Sequence, residues 1–200
     1  MPPEVRVIHV DDDRGFVELS SELLERADDR IEVRTETDPR VVTDAVLEFE
    51  PHCIVSDYEM PGMNGLDLFE RIREADIEIP FILFTGKGSE SIAAEAMTVG
   101  VTDYIQKGGT DTYELVANRV LDAVKSRQRK IAVDRAVNHY TALVETAHVP
   151  VYLYDEDGVI HYANEASARL CASCNRDFRL RRREPRCNPA PPPVFIPIRS

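Results

Sequence analysis

The stretch Cys53–Gly65, read as CIVSDYEMPGMNG, limits the possible folds of this chain more than any other part of the sequence. It begins with a short apolar run that stops at a single carboxylate, Asp57, and it continues as a loop rich in proline and glycine. This pattern predicts a buried strand with an acid at its carboxyl end. One aspartate in that position is weak evidence of a site, because such residues often cap the next helix.

Other reactive side chains follow the ends of other predicted strands. They are two carboxylates, a hydroxyl and an ammonium: Asp11, Asp12, Thr85 and Lys107. Five predicted strands alternate with helical segments, which indicates an α/β fold with a doubly wound, five-stranded parallel sheet. In such a sheet the carboxyl ends of the strands share one edge, where ligands bind. We therefore expect these side chains and Asp57 to converge on one cleft.

The charge of the chain is strongly acidic and unevenly distributed. The 200 residues carry a net charge of -12, but residues 171–200 alone carry +5 and the rest therefore carry -17. An acidic body argues against a nucleic-acid partner. The sequence shows no signal peptide and no apolar span, so we expect the chain as given to be cytoplasmic and free of the membrane.

The predicted cluster has the parts that phosphoryl transfer to a protein carboxylate requires. A carboxylate such as Asp57 can act as the nucleophile and form an acyl phosphate. Mg²⁺ prefers oxygen ligands, and Asp11 and Asp12 offer them. The Lys107 ammonium can neutralise a phosphate oxygen, and the Thr85 hydroxyl can donate a hydrogen bond to the phosphoryl group.

Residues 4–125 resemble the receiver domain of two-component response regulators, which has a flavodoxin-like fold. The motifs that carry the resemblance are VIHVDDD (7–13), IVSDYEMPGMNG (54–65), FILFTG (81–86) and DYIQK (103–107). The resemblance implies that Asp57 is the phosphoacceptor and that a histidine kinase or a phosphotransfer protein is the partner. The implied Mg²⁺ ligands are Asp11, Asp12, Asp57 and the backbone carbonyl of Glu59. The implied phosphoryl-binding and switch residues are Thr85, Lys107 and Tyr104.

The sequence departs from the family pattern at two positions. Gly86 follows Thr85 where the family usually has alanine, and Gly108 follows Lys107 where it usually has proline. Both changes should loosen the loops that carry these residues.

The lifetime of the acyl phosphate depends on the groups beside the path of the attacking water. By position in the motifs, Glu59 and Lys87 flank that path. We hypothesise that an ion pair between them slows hydrolysis.

The sequence after the receiver predicts three further segments. Residues 126–147 read as a connecting helix, whose apolar spacing suits either pairing with a second copy or packing on the next domain. Residues 148–170 contain a hairpin signal, and residues 139–170 resemble the opening of a PAS sensor domain. Residues 171–200 are rich in arginine and proline and are predicted to be disordered. The favoured interpretation of that tail is a truncated or frame-shifted PAS domain, and a genuine basic tail is the second.

These observations predict a phosphorylation switch that passes its change to a PAS-type region. The expected activity is stoichiometric self-phosphorylation and autodephosphorylation only, so we do not expect an enzyme, and the chain contains no kinase core. One alternative is the N-terminal fragment of a hybrid sensor histidine kinase. Another is a Mg²⁺-dependent aspartyl-phosphate hydrolase. That class needs an Asp-x-Asp nucleophile motif on the first strand, which VDDDRG lacks by placement, and it needs a substrate cap, which the sequence also lacks.

Overall fold

The computed structural model describes residues 5–86, 90–155 and 160–173. The chain divides into two compact units, Met1–Lys130 and Ile131–Ser200, and each is described by itself.

The first unit alternates strands and helices as the sequence predicts. Its strands are β1 (Val5–Val10), β2 (Ile31–Glu36), β3 (Cys53–Ser56), β4 (Phe81–Thr85) and β5 (Asp103–Gln106). Its helices are α1 (Arg14–Ala27), α2 (Val42–Phe49), α3 (Gly65–Glu74), α4 (Glu90–Val99) and the first part of α5 (Asp111–Thr146), with a 3-10 turn at Pro39–Val41. The strands form one parallel sheet in the order β2-β1-β3-β4-β5. The predicted doubly wound five-stranded sheet is therefore confirmed.

The sheet is covered on both faces, which explains why its central strands are almost wholly apolar. One face packs against α2, α3 and α4 through residues such as Val46, Phe69 and Ala96. The opposite face packs against α1 and α5 through residues such as Leu24 and Val116. All residues of β3 and β4 are buried. Because all five strands are parallel, their carboxyl ends lie at the same edge of the sheet.

Side-chain caps fix where the helices begin. The Asp13 carboxylate accepts a hydrogen bond from the Phe16 backbone N–H at 3.1 Å and starts α1, as its place after β1 predicts. A reciprocal capping box between Asn64 and Asp67 starts α3 immediately after the loop that follows Asp57. Both caps anchor loops at the carboxyl edge of the sheet.

Gly65 is required by the close approach of α3 to the end of β3. A Cβ atom built on Gly65 would collide with the backbone carbonyl of Asp57 and lie 2.6 Å from Leu83 Cδ2. We expect Gly65→Ala to lower the free energy of unfolding by about 2 kcal/mol, because the backbone cannot yield without shifting Asp57. Urea unfolding followed by circular dichroism measures the change.

Gly86→Ala is the matched control. A Cβ atom there would lie 3.8 Å from Lys107 Cδ, an ordinary van der Waals separation, so the substitution should cost little. Equal stabilities of the two alanine variants would contradict the steric account of Gly65.

The second unit contains the end of α5, an antiparallel strand pair and a short helix. The strands β6 (Tyr152–Tyr154) and β7 (Ile160–Ala163) occupy the predicted hairpin, whose turn, residues 156–159, lies outside the described residues. Asn164 is fully buried and organises the unit. Its amide nitrogen donates to the carbonyl oxygens of Val144 and Val149, and its oxygen accepts from the Val151 N–H.

Helix α6 (Glu165–Ser173) follows Asn164. It extends three residues into the segment predicted to be disordered from 171, so that boundary was placed too early. The remainder of the predicted tail, residues 174–200, lies outside the described residues. Within the described part of the chain, no helix is both long and apolar enough to cross a membrane.

Candidate functional site

Lys107 joins two buried carboxylates at the carboxyl edge of the sheet. Its Nζ atom lies 2.6 Å from Asp11 Oδ2 and 2.9 Å from Asp57 Oδ1. Asp11 is 2% exposed and Asp57 is 6% exposed, so both acids are almost entirely removed from water. The convergence predicted from three separate strand ends is therefore present for these three side chains.

Backbone groups hold the other oxygen of each carboxylate. Asp57 Oδ2 accepts a hydrogen bond from the Glu59 N–H at 3.1 Å, and Asp11 Oδ1 accepts one from the Asp13 N–H at 2.9 Å. The Asp57 N–H donates to the Val10 carbonyl at 2.8 Å, which continues the β1–β3 pairing beyond the strands. Each acid is thus oriented by a backbone N–H of the loop that follows it.

The ammonium of Lys107 remains charged in this setting. Burial alone lowers the pKa of Lys107, but the hydrogen bond to Asp11 and the close ion pair with Asp57 outweigh burial and raise the pKa above its ordinary value of 10.5. The buried acids therefore face a permanent cation at neutral pH.

Thr85 and Tyr104 lie beside the lysine on β4 and β5. The Thr85 carbonyl accepts a hydrogen bond from the Lys107 backbone N–H at 2.8 Å, and the threonine is 1% exposed. Tyr104 packs against the core with its hydroxyl buried, and that hydroxyl has no hydrogen-bond partner among the described residues. The predicted switch pair is thus located on adjacent strands, in the register that pairs Leu83 with Tyr104.

His9 is a core residue beneath the site. It is fully buried, with Nε2 2.8 Å from Ser20 Oγ and Nδ1 3.2 Å from the Val55 carbonyl. Burial lowers the pKa of His9 to about 4, and the hydrogen bond to Val55 only partly offsets this effect. A neutral, enclosed imidazole acts as a packing residue and is not accessible to a phosphodonor.

The predicted Mg²⁺ ligands follow the carboxyl ends of β1 and β3. Asp12 is exposed and lines a shallow cleft with Glu59 and Asn64. Among the described residues, no three acidic, histidine or cysteine side chains are grouped closely enough to hold a metal ion. The Lys107 ammonium lies between Asp11 and Asp57. Two buried carboxylates beside an exposed third one nevertheless form the oxygen-donor set that Mg²⁺ prefers.

The predicted ion pair between Glu59 and Lys87 is not tested, because Lys87 falls in the gap at residues 87–89, outside the described residues. Glu59 itself is exposed beside the cleft. The role of this pair in the lifetime of the acyl phosphate stays a prediction.

Comparison with known proteins decides the family. The sequence matches the family described as the response regulator receiver domain over residues 7–118, more than half of the chain. The chain belongs to the response regulator receiver family. The matched residues include the whole candidate site, from Asp11 to Lys107.

The chain aligns with part of several longer curated proteins. The chain is 32% identical over 134 residues to the protein-glutamate methylesterase/protein-glutamine glutaminase of Pectobacterium atrosepticum. The aligned region covers 62% of this chain and 38% of that protein. It is 33% identical over 104 residues to the C4-dicarboxylate transport transcriptional regulatory protein DctD of Pseudomonas aeruginosa, covering 52% of the chain and 22% of that protein. The receiver chain therefore spans well under half the length of these relatives.

Solved receiver structures superpose on the same region. The signal receiver domain of the response regulator NarL from Mycobacterium tuberculosis aligns with a TM-score of 0.56 at 26% identity, covering 62% of this chain and 98% of that one. The chemotaxis protein CheY4 of Vibrio cholerae aligns with a TM-score of 0.53 at 26% identity, covering 58% and 98%.

Sequence reasoning missed one residue of the receiver site, Phe16. Its apolar character alone indicates no functional role, yet its ring centroid lies 4.1 Å from Lys107 Nζ. The available signal is its position in the first turn of α1, three residues after the capping Asp13. That turn directly follows the carboxyl end of β1 and so lies at the edge of the sheet that carries Asp11.

Proposed function

We propose that this receiver is a phosphorylation switch in which Asp57 accepts a phosphoryl group from a partner histidine kinase or phosphotransfer protein. The observation that carries the proposal is the pair of buried carboxylates, Asp11 and Asp57, joined by Lys107 at 2.6 and 2.9 Å. Burying two acids together costs free energy, and such arrangements are concentrated at functional sites. An acyl-phosphate site requires acids placed in this way.

In this proposal an oxygen of Asp57 attacks phosphorus while the bond from phosphorus to the donor's leaving group breaks. The donor keeps the bonding electron pair, and the carboxylate becomes an acyl phosphate. Mg²⁺ would be held by Asp11, Asp12, Asp57 and the Glu59 backbone carbonyl, and it would neutralise charge on the phosphoryl oxygens. Burial leaves the Asp57 carboxylate poorly solvated, which favours its attack.

The remaining residues of the site have separate roles. Lys107 neutralises a second phosphoryl oxygen, and the Thr85 hydroxyl donates a hydrogen bond to the new group. Tyr104 responds to Thr85 by changing rotamer. Its buried hydroxyl has no hydrogen-bond partner among the described residues, so the rotamer change breaks no hydrogen bond to them. The switch thus links the charge on Asp57 to the surface near β5.

We further propose that α5 carries this change to a PAS-type region and pairs with α5 of a second copy. Beyond Lys130 the helix exposes apolar side chains at coiled-coil spacing: Val133 (61% exposed), Val137 (56%) and Tyr140 (68%). Their exposure supports an apolar partner surface. Tyr140→Glu should convert a dimer to a monomer in sedimentation analysis, whereas an unchanged mass would exclude this helix as the interface.

The switch does not require enzyme turnover, which separates it from the hydrolase alternative. After incubation with Mg²⁺ and acetyl phosphate, intact-mass analysis should show one added phosphoryl group per chain. Steady release of phosphate from a generic phosphate ester would favour a hydrolase. The hybrid-kinase alternative concerns the domains beyond the receiver in a longer chain, and it leaves the role of Asp57 unchanged.

A further inference from the structure

We propose that Phe16 is a positioning residue for Lys107, holding the ammonium between Asp11 and Asp57 through a cation–π contact. The contact itself follows from the geometry, and its effect on phosphorylation rests on the proposed function. The face of an aromatic ring attracts a cation because its quadrupole is negative there.

The distance and burial suit a strong contact of this kind. Lys107 Nζ lies 4.1 Å from the Phe16 ring centroid, well within the reach of cation–π attraction, and the lysine side chain is only 18% exposed. The ring supplies no oxygen acceptor, so it holds the ammonium without competing with Asp11, Asp57 or a phosphoryl oxygen for hydrogen bonds.

The ring is itself held in place from below. Its centroid lies 6.3 Å from that of Phe84 and 6.4 Å from that of the buried His9, with the His9 and Phe16 rings nearly perpendicular. Phe16 therefore packs against two buried rings of the core.

The sequence connects the ring to the same acids that bind the lysine. Asp11 accepts from the Asp13 N–H, Asp13 accepts from the Phe16 N–H, and the Phe16 ring faces the lysine that pairs with Asp11. Asp11, Asp13 and Phe16 are therefore linked to one another by hydrogen bonds, and two of them, Asp11 and Phe16, contact the ammonium directly.

The backbone after Lys107 gives it little support. Gly108 and Gly109 follow it, and glycine restricts the chain less than any other residue. The backbone N–H of Lys107 is bound to Thr85, but the four-carbon side chain beyond it rotates freely unless contacts fix it. The Phe16 ring contacts the Lys107 ammonium from α1, whereas Asp11 and Asp57 contact it from the ends of β1 and β3.

The alternative is that Phe16 merely fills space, and two substitutions separate these roles. Phe16→Leu keeps an apolar side chain but removes the ring, whereas Phe16→Tyr keeps the ring face. Tyr113→Leu is the matched control: it removes a ring that packs on the same Phe84, at 5.7 Å, from α5. A packing role predicts similar effects of the two leucine variants, and the positioning role does not.

The direct readout is the proton resonance of the Lys107 εCH₂ group in the full chain. A ring face beside the ammonium should shift this resonance upfield in the wild type, in Phe16→Tyr and in Tyr113→Leu, and the shift should vanish in Phe16→Leu. An unshifted resonance in the folded wild type, or an upfield shift that persists in folded Phe16→Leu, would overturn the proposal.

The second readout is the initial rate of phosphorylation by acetyl phosphate and Mg²⁺. We expect Phe16→Leu to be slower by roughly three- to tenfold and Phe16→Tyr to recover the wild-type rate. Equal rates for the two variants would overturn the positioning role. If the wild type itself accepts no phosphoryl group, the proposed function fails, while the Lys107 resonance still decides whether Phe16 holds the lysine.

Discussion

Asp57→Asn should take up no phosphoryl group from acetyl phosphate and Mg²⁺ under conditions that phosphorylate the wild type fully. The amide has nearly the same shape as the carboxylate but lacks the charged oxygen that attacks phosphorus. Its oxygen can still accept the hydrogen bond from the Glu59 N–H, so the loop should keep its conformation. Intact-mass analysis of both proteins after equal incubation measures the effect.

Asp13→Asn is the control for this experiment. Asp13 is an exposed acid at the same edge, and its role is to cap α1, which asparagine performs equally well. Its phosphorylation should match that of the wild type. Full labelling of Asp57→Asn, or loss of labelling in both variants, would contradict the assignment of Asp57 as the nucleophile.

Lys107→Met should have the second largest effect, this time on stability as well as on phosphorylation. Methionine retains the length of the side chain but leaves Asp11 and Asp57 buried with no cation between them. Breaking a buried ion pair by removing one partner costs about 3 kcal/mol or more, because the remaining charges are uncompensated. Urea unfolding at neutral pH measures the loss, and added Mg²⁺ should restore part of it by binding the same acids.

The comparison variant is Arg119→Met, which breaks the ion pair with Asp103 at 3.3 Å. Its arginine side chain is 55% exposed, so the change should cost less than about 1 kcal/mol. If Lys107→Met were as stable as Arg119→Met, the buried pair would not stabilise the fold.

The pH dependence of the Lys107 contribution depends on the sign of its pKa shift. The pKa of Lys107 is raised in the folded state, so folding favours the charged form. Its stabilising effect should be fully present below pH 10.5 and be lost as the pH rises through the folded-state pKa. The stability difference between wild type and Lys107→Met should therefore be constant near neutral pH.

The sheet and the position of its acids could be predicted because they depend on local patterns. Apolar runs that end in polar residues identify β1, β3 and β4, and the shared edge of a parallel sheet then brings Asp11 close to Asp57. The identity of Lys107 as the third member follows from the same rule, since it comes directly after β5.

The contacts that fix the site could not be predicted, because they depend on side-chain directions across elements. The sequence predicts that Asp11, Asp57 and Lys107 share one cleft, but only the structure shows that the Lys107 ammonium lies between the two carboxylates. The contact of Phe16 with Lys107 could not be predicted, because periodicity identifies the buried face of α1 but does not show which of its residues lies beside a lysine 91 positions later.

The end of α5 shows a different limit. The sequence predicts a connecting helix that begins at residue 126, and the compact units divide after Lys130. The helix itself continues without a break from Asp111 to Thr146. Composition identifies where packing against the sheet stops, but an exposed helix of good helix formers continues regardless.

The assignment of Asp57 as the phosphoacceptor of this receiver is tested most directly by locating the phosphoryl group with tandem mass spectrometry. The full chain would be incubated with acetyl phosphate, with and without Mg²⁺, and digested rapidly. We predict one phosphoryl group, on Asp57, that requires Mg²⁺. A phosphoryl group on any other residue, or none on Asp57 in the presence of Mg²⁺, would contradict the assignment.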